Sequence, residues 1–158
     1  MIFFTLNAQS IQIAELRSVY SNDMQKFSIK MNSFICEPYG VVTLEEILAD
    51  KNTIPICKKR IEEYFSKNPV QKYFIQMNLH LRQNYHIEFK DKRCLVYAFG
   101  QKTISEALLE QGLAIKKPSL KDDEFGYLFL RAQTRAKNRN SGIWSDKTLQ
   151  SCVKSFYK

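Results

Sequence analysis

The chain has 158 residues, the size of one domain with an ordinary buried core, and its 44% hydrophobic and 25% charged content excludes a disordered or fibrous protein. Its 24 Lys and Arg outweigh 16 Asp and Glu, leaving a formal net charge of +8 that favours a polyanionic partner, nucleic acid first among them. No apolar run reaches the roughly 18 residues of a membrane helix, so membrane insertion is not expected.

The opening Met1-Ile-Phe-Phe-Thr-Leu lacks the charged head and long apolar stretch of a signal peptide, and the chain reads as the mature or excised part of a longer protein. Short alternating stretches at residues 3–6, 11–20 and 25–34, separated by Asn7-Ala-Gln-Ser and Ser21-Asn-Asp-Met, predict a three-stranded meander. From 39 to 68 the pattern turns helical. Thr43 offers an N-cap and Glu46 a capping-box partner for a helix over 43–49, and 55–66 predicts a second. Pairs such as Lys58 with Glu62 and Lys59 with Glu63 mark its solvated face. Pro69 opens another helix running towards Arg82. Residues 85–89 and 93–99 read as paired strands around the turn Lys90-Asp-Lys, 103–111 as a short helix stopped by Gly112, and 124–140 as the strongest helix, with Arg131, Arg135 and Arg139 recurring every fourth residue. Strands, helices, two strands and two helices suit an α+β fold dominated by a five-stranded barrel of the OB type.

Four cysteines, Cys36, Cys57, Cys94 and Cys152, contain no Cys-x-x-Cys pair, and His80 and His86 are the only histidines. No zinc site, and no other metal or cofactor, is expected. The spacing alone leaves two disulfides and four reduced thiols as equal readings.

Two stretches resemble the staphylococcal nuclease (thermonuclease) family. Residues 93–114, Arg-Cys-Leu-Val-Tyr-Ala-Phe-Gly-Gln-Lys-Thr-Ile-Ser-Glu-Ala-Leu-Leu-Glu-Gln-Gly-Leu-Ala, look like its arginine, strand, turn, helix and Gly-Leu-Ala signature. Ala132-Gln-Thr-Arg-Ala-Lys followed by Ser141-Gly-Ile-Trp-Ser145 look like its final helix and the turn beyond. The resemblance covers residues 85–145; 1–38 agree in strand pattern only, and 39–68 read as a helical insertion in a single domain over 1–158. It implies an OB barrel with helices packed on it.

The resemblance also implies a hydrolytic site, with two calcium-binding aspartates, a water-orienting glutamate and two arginines for the developing phosphorane charge. Aligned residue by residue, Gln9 stands at the first aspartate, Cys36 at the second, Tyr39 at the glutamate, and Lys30 or Met31 at the first arginine. A shift of one residue would bring Glu37 into the site, and Asp23 is an alternative if the first turn lies elsewhere. Arg93 alone matches, at the second arginine. The tyrosines that stack on nucleotide in the family give way to Ile115-Lys-Lys117, an exchange of stacking for charge.

The reading is therefore a domain that binds nucleic acid, DNA first, without cutting it, through Lys92, Arg93, Lys116 and Lys117 around the old cleft with Lys30 nearby, or through an Arg131/Arg135 stripe on the last helix. A divergent metal-dependent phosphodiesterase and a protein-interaction module are the alternatives. Because members of the family are often exported and their core is commonly cysteine-free, the resemblance tilts the cysteines towards disulfides in a periplasmic or secreted setting, where DNA uptake is the role suggested. Cys36 ends the third strand and Cys57 opens a helix of the insertion, so the expected pairs are Cys36 with Cys57 and Cys94 with Cys152.

Overall fold

The computed structural model describes residues 11–121 and 124–157. The expected strand at 3–6 and the turn holding Gln9 lie outside them. Strand β1 (Gln12–Ser21) alternates as a half-buried strand must, with Ala14 and Leu16 inside and Ile13 and Arg17 outside. The stretch expected as one third strand is instead a hairpin of β2 (Met24–Ile29) and β3 (Asn32–Cys36), in register from Gln25 opposite Cys36 to Ile29 opposite Asn32. Lys30 makes the turn with φ +56°, a conformation that glycine or asparagine ordinarily signals, and that signal is missing here.

Strands β5 (Asn84–Lys90) and β6 (Arg93–Phe99) form the expected second hairpin. Asp91 and Lys92 both take positive φ, the mark of a two-residue type I′ turn. With the short β7 (Lys102–Thr103) the sheet order is β3-β2-β1-β5-β6-β7, and β4 (Val41–Thr43) pairs with β8 (Ala114–Lys116) in a separate ladder. The fold is thus α+β and OB-like as expected, but among the described residues the sheet has six strands and is not closed by a continuous ladder. Its two sides meet at one point. Pro38 bridges to Cys94, the Cys94 amide donates to the Glu37 carbonyl at 2.9 Å, and the Tyr39 amide donates to the Cys94 carbonyl at 3.0 Å.

A disulfide from Cys36 to Cys94 locks that point, and a second joins Cys57 to Cys152. The expected pairing, Cys36 with Cys57 and Cys94 with Cys152, is therefore corrected. The end of β3 lies against the start of β6, with Cα atoms of Cys36 and Cys94 5.4 Å apart, whereas Cys57 in the first turn of α2 (Pro55–Lys67) faces α7 (Lys147–Lys154). The bonds close chain separations of 58 and 95 residues, worth about 4 and about 5 kcal/mol respectively on the chain-entropy account. An ion pair between Arg60 and Asp146, the latter also capping α7, reinforces the second contact.

Helix α1 (Leu44–Ala49) is capped by Thr43, which accepts from the Glu46 amide. The single helix expected after Pro69 is two short ones, α3 (Pro69–Lys72) and α4 (Phe74–Asn78). The buried Asn22 side chain sits at the break, donating to the Gln71 carbonyl at 2.9 Å and accepting from the Ile75 amide at 3.0 Å, so a turn of the sheet supplies hydrogen bonds that a continuous helix would make itself. Helix α5 (Ile104–Glu110) runs through the core, with a full capping box between Thr103 and Glu106. It ends in a Schellman motif at Gly112, whose amide donates to Leu109 while that of Leu113 donates to Leu108. Helix α6 (Glu124–Asn138) then packs on it through Phe129, Ala132 and Ala136.

The two motif segments meet here backbone to backbone: the Ile143 amide donates to the Gly112 carbonyl at 2.9 Å, and a Cβ on Gly112, at φ +67°, would collide with the Ser141 carbonyl. Gly100 also has positive φ but has open space around it. Gly112→Ala is expected to lose more than about 3 kcal/mol in denaturant unfolding, against about 1 kcal/mol for Gly100→Ala, which carries the backbone cost alone.

Burial raises the Glu45 carboxyl from its ordinary 4.5 to about 7. One of its oxygens accepts from Asn22 at 2.8 Å, and the other is buried without a partner. A folded-state value above the unfolded one favours the protonated form, so this contribution to stability is full below about pH 4.5 and is lost as pH rises through about 7. Stability curves over that window are expected to fall by roughly 3 kcal/mol in the parent and to flatten in Glu45→Gln.

Candidate nucleic-acid interface

The point where the sheet's two sides meet opens onto a cleft of about 380 Å³, walled by Tyr39 and Gly40 after β3, Lys90, Asp91 and Arg93 at the β5–β6 turn, and Lys117 and Ser119 to Lys121 after β8. Arg93 begins β6, one residue before the disulfide, so its backbone position is fixed by the locked seam. Its guanidinium donates to Glu46 at 2.5 Å and to the Pro38 carbonyl at 3.3 Å, and lies 3.4 Å from Glu37. Two carboxylates therefore offset its charge. Glu37 is the more exposed and more distant of the two.

Lys117 enters from the opposite wall, its amide donating to the Gly40 carbonyl at 2.9 Å. Burial, then the nearby Arg93 charge, hold its ammonium below the ordinary lysine range. An anion between the two would relieve that repulsion. Lys90 stands over the rings of Tyr39 and Phe125, at 5.2 and 5.0 Å, a cation–π arrangement that holds its stem across the cleft floor.

Not every expected residue reaches this cleft. Lys92 occupies the second turn position outside its lining. Lys116 uses its ammonium to hold the Leu120 carbonyl at 3.3 Å and its amide to reach Gln133, so it shapes the loop. Lys30 is on the β2–β3 hairpin, in a different groove. Arg131 and Arg135 line a third, between α6 and β6–β7, together with Glu88, Glu106 and Glu110. Arg135 donates to Glu110 at 2.7 Å. Burial alone would raise the Glu110 carboxyl, but hydrogen bonds from Lys102 and Arg135 outweigh it and hold that group below its ordinary range. The helix stripe is thus partly neutralised. Conversely, Lys90, Ser119 and Lys121 in the cleft were not singled out by the sequence.

The described residues expected at the metal positions are engaged in other contacts. Cys36 has its sulfur committed to Cys94. Tyr39 is buried beneath Lys90, and its carbonyl accepts from Ser105 at 2.7 Å. Glu37, the residue a shifted alignment would recruit, is held by Arg93, and Asp23 accepts from Ser21 at 2.5 Å in the β1–β2 turn. Among the described residues no three His, Cys, Asp or Glu side chains group so as to hold a metal ion. Glu46, expected only as the capping-box partner of Thr43, does donate its amide to Thr43, but its carboxylate accepts from Arg93, 47 positions away.

Among the described residues no helix is long and apolar enough to cross a membrane. No curated protein matches the chain. The family model of the staphylococcal nuclease homologue matches residues 59–146, beginning inside α2 and so taking in the end of the stretch read as inserted. It includes both motif segments, whose backbones join at Gly112 and Ile143, and it spans more than half of the sequence: the chain belongs to the staphylococcal nuclease homologue family.

Proposed function

We propose that the chain is a nucleic-acid-binding domain that uses the nuclease scaffold to hold phosphodiesters, DNA first among them, without hydrolysing them. The observation that carries this reading is the fate of the second aspartate position, where the Cys36 sulfur is bonded to Cys94, the neighbour of the retained arginine. Hydrolysis needs a hard cation held by carboxylates and a base to orient water. The carboxylates nearest Arg93 serve as its counter-ions instead.

A phosphate entering the cleft displaces Glu37, the weaker partner, and gains the Arg93 fork together with the Lys117 and Lys121 ammonium groups, while Glu46 keeps the guanidinium oriented. Two disulfides support an oxidising compartment, periplasmic or secreted, where a protein that retains DNA intact would serve its uptake.

Incubation with plasmid and calcium, magnesium or manganese is expected to give no metal-dependent nicking. Nicking that disappears in Arg93→Ala would establish the divergent phosphodiesterase in its place. Duplex binding is expected to weaken with salt, and Lys117→Gln with Lys121→Gln to reduce the slope by about 1.8 log units per log unit of salt, the loss of two phosphate contacts. An unchanged slope would remove the cleft from the interface.

A further inference from the structure

The outward face of β1–β3 carries a second basic surface. On β2, Gln25 and Phe27 point into the core, so Lys26 and Ser28 point out, and Lys30 follows in the turn. Opposite them stand Ser18 and Glu15 on β1 and Ser33 on β3, through the pairs Ser18–Lys26, Glu15–Ser28 and Ser28–Ser33. The register of β1 slips between Leu16 and Ser18. This bulge brings Arg17 and Ser18 to the same shallow groove, of about 490 Å³, where alternation would have sent one of them inward.

No carboxylate lines this groove. The nearest on that face, Glu15, is held by Arg17 at 2.6 Å, whereas Lys26 and Lys30 enter no ion pair among the described residues. Lys26 and Ser28 are alternate residues of β2, so their side chains follow one another at roughly 7 Å, an interval that suits successive phosphates of an extended single strand, and Lys30 lines the same groove from the turn. Beside them Met31 is 99% exposed and Ile35 is 45% exposed, apolar surface on which splayed bases can rest. A duplex, with its bases turned inward, makes no use of that surface.

We infer that this face is a binding track for single-stranded nucleic acid, with Lys26 and Lys30 neutralising backbone phosphates and the serine hydroxyls donating to the oxygens between them. It is separate from the cleft and does not depend on it.

Fluorescence anisotropy of a labelled thymidine oligonucleotide and of a duplex, titrated with salt against the whole chain, tests the assignment. Lys26→Gln with Lys30→Gln is expected to weaken single-strand binding by about tenfold or more at low salt. It should also cut the salt slope by about 1.4, at roughly 0.7 per phosphate, with duplex binding kept. Ser28→Ala is expected to weaken it about threefold with the slope intact, as loss of a neutral donor should. All are surface changes, and an unaltered melting temperature shows the fold is kept.

Single-strand affinity and slope unchanged in the double variant would overturn the track, as would an equal loss for duplex. So would binding of a sulfated polysaccharide with none of the oligonucleotide. Duplex loss confined to the Lys117/Lys121 variant would uphold the cleft reading independently, and absence of that loss would reject the cleft while leaving the track standing.

Discussion

Cys94 joins the two sides of the sheet through three bonds at once. Its amide and carbonyl tie the chain on both sides of Pro38, and its sulfur holds the last residue of β3. Since no continuous ladder among the described residues closes the sheet, this one residue fixes how β3 meets β6, where the chain turns into Gly40 and β4, and where Arg93 stands. The cleft is a consequence of the seam: its walls are the segments that converge on Cys94, and the side chains in it are those next to residues that cannot move.

Electrostatics then decide what the cleft can accept. Arg93 donates to Glu46 and the Pro38 carbonyl and is ion-paired with Glu37, and Lys117 faces it with its ammonium held below the ordinary lysine range by burial and then by the Arg93 charge. Breaking an ion pair that is partly buried by removing one partner costs more than the pair contributes, so on the proposed reading a phosphate would replace a carboxylate at Arg93, and Glu37, more exposed and more distant, would yield more readily than Glu46.

Much of this fold was legible from residues whose local chemistry is strong. Gly112 and Thr103 announced the ends of α5, Thr43 the start of α1, and the Arg93 strand with its turn announced the second hairpin, because capping and turn signals act over three or four residues. The hairpin at Lys30 was missed because a lysine holds a conformation that glycine usually signals. The break after α3 was missed because the hydrogen bonds responsible come from Asn22, in another element. The Glu46 partner and the disulfide pairing failed for the same reason: both are set by which segments meet at the seam and at the α2–α7 contact, and no local pattern encodes that. The cleft was readable in its arginine and one lysine. Its counter-ions were not.

The two disulfides also interleave. In chain order the cysteines run 36, 57, 94, 152, and the bonds join first to third and second to fourth. Every peptide bond between Cys36 and Cys152 is therefore bypassed by at least one covalent link. A protease that nicks any single position in that span, whether a helix connection or the polar loop before α6, releases no fragment, and the strands and helices stay tethered in a molecule of unchanged mass but for one water. The same crossing means that no contiguous half of the chain can complete its own bonds, so oxidation finishes only when both halves are together.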